Sequence, residues 1–106
     1  MAYIQAHLAE EIHLADIAQL IGMSQYYFCR LFRQSVGVSP YKYVIQQRVE
    51  RARTFLQQFQ EMKIADIALD CGFANQSHLC KHFRKLLGTT PKRYRREHSL
   101  SDLTNP

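Results

Sequence analysis

Two polar and cationic strips hold the residues of this chain that could do chemistry. The first is Gln25, Tyr26, Cys29, Arg30 and Arg33, and the second is Gln76, Ser77, Cys80, Lys81 and Arg84. Both follow the spacing i, i+1, i+4, i+5, i+8, which on a helix places five side chains along one side. Their types suit the major groove of duplex DNA. Arg or Lys donates to guanine, Gln pairs bidentately with adenine, and Tyr or Cys touches a thymine methyl. One such strip alone is better explained as an ordinary wet helix face. Two that superimpose in an internal repeat favour a pair of reading heads.

The repeat is dense. Leu14–Ala18 and Ile64–Ala68 each place Ala-Asp-Ile-Ala after an aliphatic residue, and Gly22 and Gly72 follow four positions later. One extra residue after the second glycine changes the offset from 50 to 51. From there Gln25 pairs with Gln76, Phe28 with Leu79, Cys29 with Cys80, Arg30 with Lys81, Phe32 with Phe83, Arg33 with Arg84, Gly37 with Gly88, Pro40 with Pro91 and Tyr43 with Tyr94. Matches this close point to an internal duplication.

The elements that must position these strips are helices. Leu14, Ile17, Ala18 and Ile21 trace an apolar face that Gly22 ends. Ser24 is placed to cap a helix over residues 25–36, with Phe28, Leu31, Phe32 and Ser35 inward, and Gly37 stops it. In the second copy a helix over 64–70, a turn at Gly72 and a cap at Asn75 lead into a helix over 76–87, with Leu79, Phe83, Leu86 and Leu87 inward. A helix, a short glycine-containing turn and a second helix is the composition of a helix-turn-helix. Between the copies, Ser39-Pro40 starts a helix running to about Gln58, whose stripe comprises Val44, Ile45, Val49, Ala52, Phe55, Leu56 and Phe59. About 18 residues at 1.5 Å each make a rod near 27 Å. Arg48 lies beside Val44 and Val49, where it would be half-buried and bond backbone carbonyls. Thr90-Pro91 starts a last short helix over 92–96. Tyr3, Ile4, His7 and Leu8 predict a further helix over 3–10; because the chain opens almost inside it, a piece of something longer is expected, with a short native protein as the alternative. The domain division is 1–39 and 60–96 for the two helix-turn-helix units, 40–59 for the linker, and a disordered tail over 97–106.

Fourteen Lys+Arg against nine Asp+Glu give a net charge of +5, which favours an anionic partner. Phosphate contacts would come from Arg33, Arg84, Lys42, Lys85, Lys92 and Arg93, with Arg51, Arg95 and Arg96 as further cations near helix ends. No apolar run reaches the ~20 residues that span a bilayer, and no signal sequence is present, so a cytoplasmic protein with no membrane partner is expected. The three cysteines, an odd number, fit reduced thiols in that compartment. Cys71, His78, Cys80 and His82 lack a metal-ligand spacing: the histidines share a face, Cys80 points elsewhere, and Cys71 sits where a small buried residue is wanted. No nucleophile with a base, paired acids or phosphate-cradling loop stands out, so neither an enzyme nor a cofactor is expected.

Gly72-Phe73, Ser77, Leu79, Lys81, Phe83-Arg84, Gly88, Thr90-Pro91 and Tyr94-Arg95 resemble the signature of the AraC/XylS family of bacterial transcription regulators, and Tyr43, Arg48, Val49, Ala52 and Leu56 resemble its linker helix. The resemblance implies an all-α, seven-helix domain with two helix-turn-helix subdomains joined by a long linker helix. It also implies two recognition helices in successive major grooves on one side of the duplex. Carried over by position, Tyr26, Cys29 and Arg30 face bases in one groove, and Gln76, Ser77, Cys80 and Lys81 in the next. Leu79 stands where the family usually has an aromatic, and Lys81 where it usually has arginine; the second change loses a bidentate fork. The resemblance further implies, as in most larger members, an N-terminal effector or dimerisation domain absent from this chain; RNA polymerase is a further candidate partner. The competing reading is a helical protein-interaction module docking on the transcription machinery. Such a module predicts apolar strips, whereas these are polar and cationic.

Overall fold

In a computed structural model the described residues are His7, Leu8 and 12–98. They carry six helices: α1 (Leu14–Leu20), α2 (Gln25–Val36), α3 (Pro40–Gln58), α4 (Ile64–Asp70), α5 (Gln76–Leu87) and α6 (Pro91–Glu97). The expected seventh, over 3–10, lies outside the described residues except for His7 and Leu8, which are in a turn. Most of the expected tail lies outside them too, and its first residue, Glu97, is the last residue of α6.

Local chemistry accounts for the helix boundaries. The side chains of Ser24, Ser39, Asn75 and Thr90 each accept a hydrogen bond from the backbone N–H three residues on, satisfying a donor the helix leaves without a partner. α3 and α6 both start on proline, which loses nothing at that position. Gly37 and Gly88 end α2 and α5 in the left-handed conformation. The two helix-turn-helix turns are built alike. Met23 N–H donates to Ala18 O and Gly22 N–H to Gln19 O, while Phe73 N–H donates to Ala68 O and Gly72 N–H to Leu69 O. This pair of bonds is a Schellman closure, and it needs the positive φ that both glycines adopt.

Two apolar cores result. Leu8, Ile17, Ala18, Phe28, Phe32 and Val44 form the first. Ile67, Ala68, Cys71, Phe73, Leu79, Phe83 and Tyr94 form the second, together with Ile45, Val49, Ala52 and Leu56 of the linker α3. Adjacent residues Val44 and Ile45 therefore enter different cores, and most of the buried face of α3 belongs to the second lobe. Arg95 closes the far end of the linker, donating to Phe59 O at 3.0 Å and Leu56 O at 3.4 Å. That use makes Arg95 a cap for α3, engaging a guanidinium whose position near a helix end suggests a phosphate contact. Arg51 lies over the Phe55 ring at 5.4 Å, which occupies it similarly.

Four inward assignments are corrected. Ile21 falls one residue past α1 and is 53% exposed, Phe59 falls one residue past α3 and is 48% exposed, Ser35 is exposed, and Leu86 is 38% exposed. Position 35 and position 86 are equivalent in the repeat, and both lie at the edge of the apolar arc, where the neighbouring helix does not reach.

Candidate nucleic-acid interface

Twelve of the fourteen predicted contact residues are exposed: Gln25, Tyr26, Arg30 and Arg33 on α2; Lys42 on α3; Gln76, Ser77, Lys81, Arg84 and Lys85 on α5; Lys92 and Arg93 on α6. Phe28 and Phe32 hold α2 by its opposite side, as Leu79 and Phe83 hold α5. Anchoring by rigid apolar side chains fixes the rotation of each helix, so the outward residues are presented in a defined order. Tyr26 is the most exposed of the large hydrophobic residues, at 77%. A solvated aromatic at the first turn of a helix is free to lie against a sugar or a base edge.

Cys29 and Cys80 are only half-buried, and Cys29 packs against the first core. At 100° per residue they fall between the buried seam and the outward strip, so each offers one edge of its sulfur outward. The same geometry brings forward a residue pair that spacing i, i+1, i+4, i+5, i+8 overlooks. Gln34 is exposed at the position equivalent to Lys85, in line with Tyr26, Arg30 and Arg33 on α2. The offset of 51 relates the two, so the repeat itself is the signal that points to Gln34.

Lys42 and Lys85 approach each other across the lobes. They line one groove with Tyr41, Ile45, His82 and Leu86, so the start of the linker and the end of α5 place two cations over a partly apolar floor. Arg93 is engaged with Glu97, Nε to Oε1 at 2.9 Å, and both partners are exposed. The hydrogen bond from Arg93 holds the Glu97 carboxyl below its ordinary range. In so solvated a pair the guanidinium is easily exchanged to a phosphate.

His78 and His82 sit beside this surface, their ring centroids 4.8 Å apart; His82 stacks on Phe73, and His78 meets the same ring edge-on. Burial lowers the His82 pKa, and the neighbouring His78, Lys81 and Lys85 lower it further. His78 Nδ1 accepts from Ala74 N–H at 3.4 Å. Cys71 is fully buried, and burial pushes its thiol up to about 11. The thiol therefore stays protonated and is a packing group, as its position on the apolar face predicts. Among the described residues no group of three or more His, Cys, Asp or Glu could hold a metal ion, and no helix is long and apolar enough to cross a membrane.

Comparison with known proteins agrees with this geometry. A helix-turn-helix domain family matches residues 17–97. The regulatory protein PocR of Salmonella typhimurium is 37% identical over 97 residues, which are 92% of this chain and 32% of PocR. The HTH-type transcriptional regulator ExsA of Pseudomonas aeruginosa is 33% identical over 93 residues, covering 88% of this chain and 33% of ExsA. The chain thus spans about a third of the length of these curated relatives. Among solved structures, the DNA-binding domain of AdpA in complex with a target DNA superimposes with a TM-score of 0.89 at 31% identity, covering 98% of this chain and 93% of that one.

Proposed function

The chain belongs to the AraC-type helix-turn-helix family of DNA-binding transcription regulators, and from that premise we propose how its own residues read DNA. α2 and α5 enter successive major grooves on one side of the duplex. Arg30 is the guanine-reading side chain of the first lobe, and Gln25, Tyr26 and the edge of Cys29 contact bases beside it. In the second lobe Gln76, Ser77, Lys81 and the edge of Cys80 do the same, with less discrimination because an ammonium is a point charge where a guanidinium is a fork. Arg33, Arg84, Lys42, Lys85, Lys92 and Arg93 hold phosphates. The grip fixes register without reading sequence.

The observation that carries this reading is the pair of equivalent exposed strips, each held from behind by two buried residues on a fixed helix. Spacing supports it too. The 19 residues of α3 make a rod of about 28 Å, and the lobes' own width extends that towards the ~34 Å between adjacent major-groove segments on one face. Bending the duplex meets any remainder at about a few kcal/mol. One chain therefore reads both grooves, with residues 1–39 and 60–96 as the readers and 40–59 as the spacer. The two separate cores support two lobes, with the buried face of the linker lying mostly in the second. In the cell the chain works in the cytoplasm on double-stranded DNA, without cofactor or catalysis of its own. We propose further that an N-terminal effector or dimerisation domain and contact with RNA polymerase complete the regulator; the relatives are about three times as long as the stretch they share with this chain.

Selection from a random duplex library, followed by titration of the winner at two salt concentrations, tests this. The expected motif has two blocks about one helical turn apart. Affinity should fall steeply with salt, the slope steepening by about 0.9 per phosphate contacted. Salt-sensitive binding without an enriched motif would refute sequence reading by this chain alone, and no binding would favour docking on another protein.

A further inference from the structure

Leu8, Arg48 and Gly72 meet at one point of the seam between the lobes. Leu8 is buried by its side chain in the first core, so its carbonyl moves with the first lobe. Arg48, on the linker and across 40 positions of sequence, donates from Nε to that carbonyl at 3.0 Å. Gly72 belongs to the helix-turn-helix turn of the second lobe and lies directly against the same bond. A Cβ added there would stand 2.0 Å from Leu8 O and 2.6 Å from Arg48 Nε. Gly22, its equivalent in the repeat, has nothing within 4 Å of the same position. The close approach at Gly72 is therefore a property of the seam and not of the turn, which both lobes share.

We propose that this node sets the angle and distance between the two recognition helices, making Arg48 a positioning residue that decides which operator spacing the chain accepts. The proposal rests on the two-groove reading above. Its physical basis is the asymmetry of the linker. Ile45, Val49, Ala52 and Leu56 bind α3 along its length to the second core, whereas the first is met only at the linker's start, by Val44 and the partly buried Tyr43. A helix held along its length by one lobe does not by itself orient the other. The node supplies what is missing, because a backbone carbonyl, a planar guanidinium and a glycine backbone contain few soft torsions. A charged donor in a half-buried setting also makes a stronger bond than a neutral one. Ile12 and Leu14 from the first lobe and Phe73 and His78 from the second line the surrounding seam, an open groove that packing alone leaves unfilled.

The test uses a duplex selected with the wild-type chain and remade with one or two base pairs inserted or removed between its two blocks, plus a duplex keeping one block only. Wild-type protein should bind best at one spacing. Arg48→Met keeps the aliphatic stem and removes the donor, so the penalty for wrong spacing should shrink by about tenfold, the equivalent of one charged hydrogen bond, while affinity for the single block stays unchanged. Arg48→Lys, which keeps a cation but not the fixed Nε–H, should fold and fall between the two. Equal loss on every duplex, or an unchanged spacing profile in both variants, would overturn the proposal. If the wild-type chain itself showed no preferred spacing, the two-groove reading would fail and the node's role would fall with it.

Discussion

The two lobes share a sequence plan but differ in how they are built into the molecule. Phe83 is fully buried and its counterpart Phe32 retains 8% of its surface; Cys71 is fully buried, whereas Ile21, fifty positions earlier, is 53% exposed. The linker explains both. α3 lays Val49, Ala52 and Leu56 over α4 and α5 and gives the first core Val44 and the partly buried Tyr43. A helix-turn-helix repeat copies residues, but it does not copy their neighbours. We expect the second lobe and its linker to open as one cooperative block, with the first lobe mounted on it.

The strongest way to break that picture is to empty each core in turn. Phe83→Ala should cost about 3–5 kcal/mol and expose the amides of α3 to exchange, because the linker shares the cavity. Phe32→Ala should cost less and leave the amides of Val49–Leu56 protected. Equal loss of linker protection in both variants would mean a single cooperative unit with no mounted lobe. Hydrogen exchange separates the cases, since it reports opening segment by segment.

The glycines sharpen the comparison. Gly22→Ala places a Cβ on a residue at φ 71° with open space around it, so the cost is the left-handed conformation alone, about 1–2 kcal/mol. Gly72→Ala adds a collision with a backbone carbonyl to the same strain, and about 2–4 kcal/mol is expected. Chemical denaturation of both variants measures the difference. Similar values would mean that Leu8 gives way easily.

At the reading heads the contrast is between a fork and a point charge. Arg30→Ala and Lys81→Ala should each weaken operator binding by about 1–3 kcal/mol, with the larger loss of base preference at Arg30. Binding titrations against single-base operator variants measure this. Relaxed preference in only one block of the motif would show that a single lobe reads sequence.

Much of this arrangement was legible in the residues because it depends on local chemistry. Caps, prolines and glycines act within a few positions, so Ser24, Asn75, Gly37 and Gly88 mark their helix ends without reference to anything distant. Buried phenylalanines at i, i+4 gave the rotation of α2, and with it the outward Tyr26, Arg30 and Arg33. The half-buried Arg48 bonding a carbonyl was also foreseen, from its apolar neighbours on the linker. Features that depend on what lies opposite were not. Ser35 and Leu86 sit at the margin of the apolar arc, where only the position of the next helix decides between core and solvent. Arg95 looks like any cation near a helix end until α6 is seen to pack its guanidinium against the end of α3. Which carbonyl Arg48 would meet, and that Gly72 would press on it, required the seam itself.

The smallest expected effect is a difference in how the lobes respond to acid. His78 and His82 occupy positions that are Tyr27 and Leu31 in the first lobe, so the second lobe carries a histidine pair where the first has a tyrosine and a leucine. Burial, reinforced by His78, Lys81 and Lys85, places the folded-state pKa of His82 below its ordinary value of 6.5. The unfolded chain then takes up the proton first. The neutral ring's contribution is complete above pH 6.5 and is lost as pH falls through that value towards the lowered folded pKa. Since the ring is only partly buried, solvent screens the effect, and a shift of a few degrees or less in unfolding temperature between pH 7.5 and 5.5 is expected. His82→Leu, which installs the residue of the first lobe, should reduce that shift while other titrating groups contribute as before. If the variant and the wild type lost the same stability over this window, His82 would not be the group that makes the second lobe sensitive to acid, and the difference between the lobes would lie in packing alone.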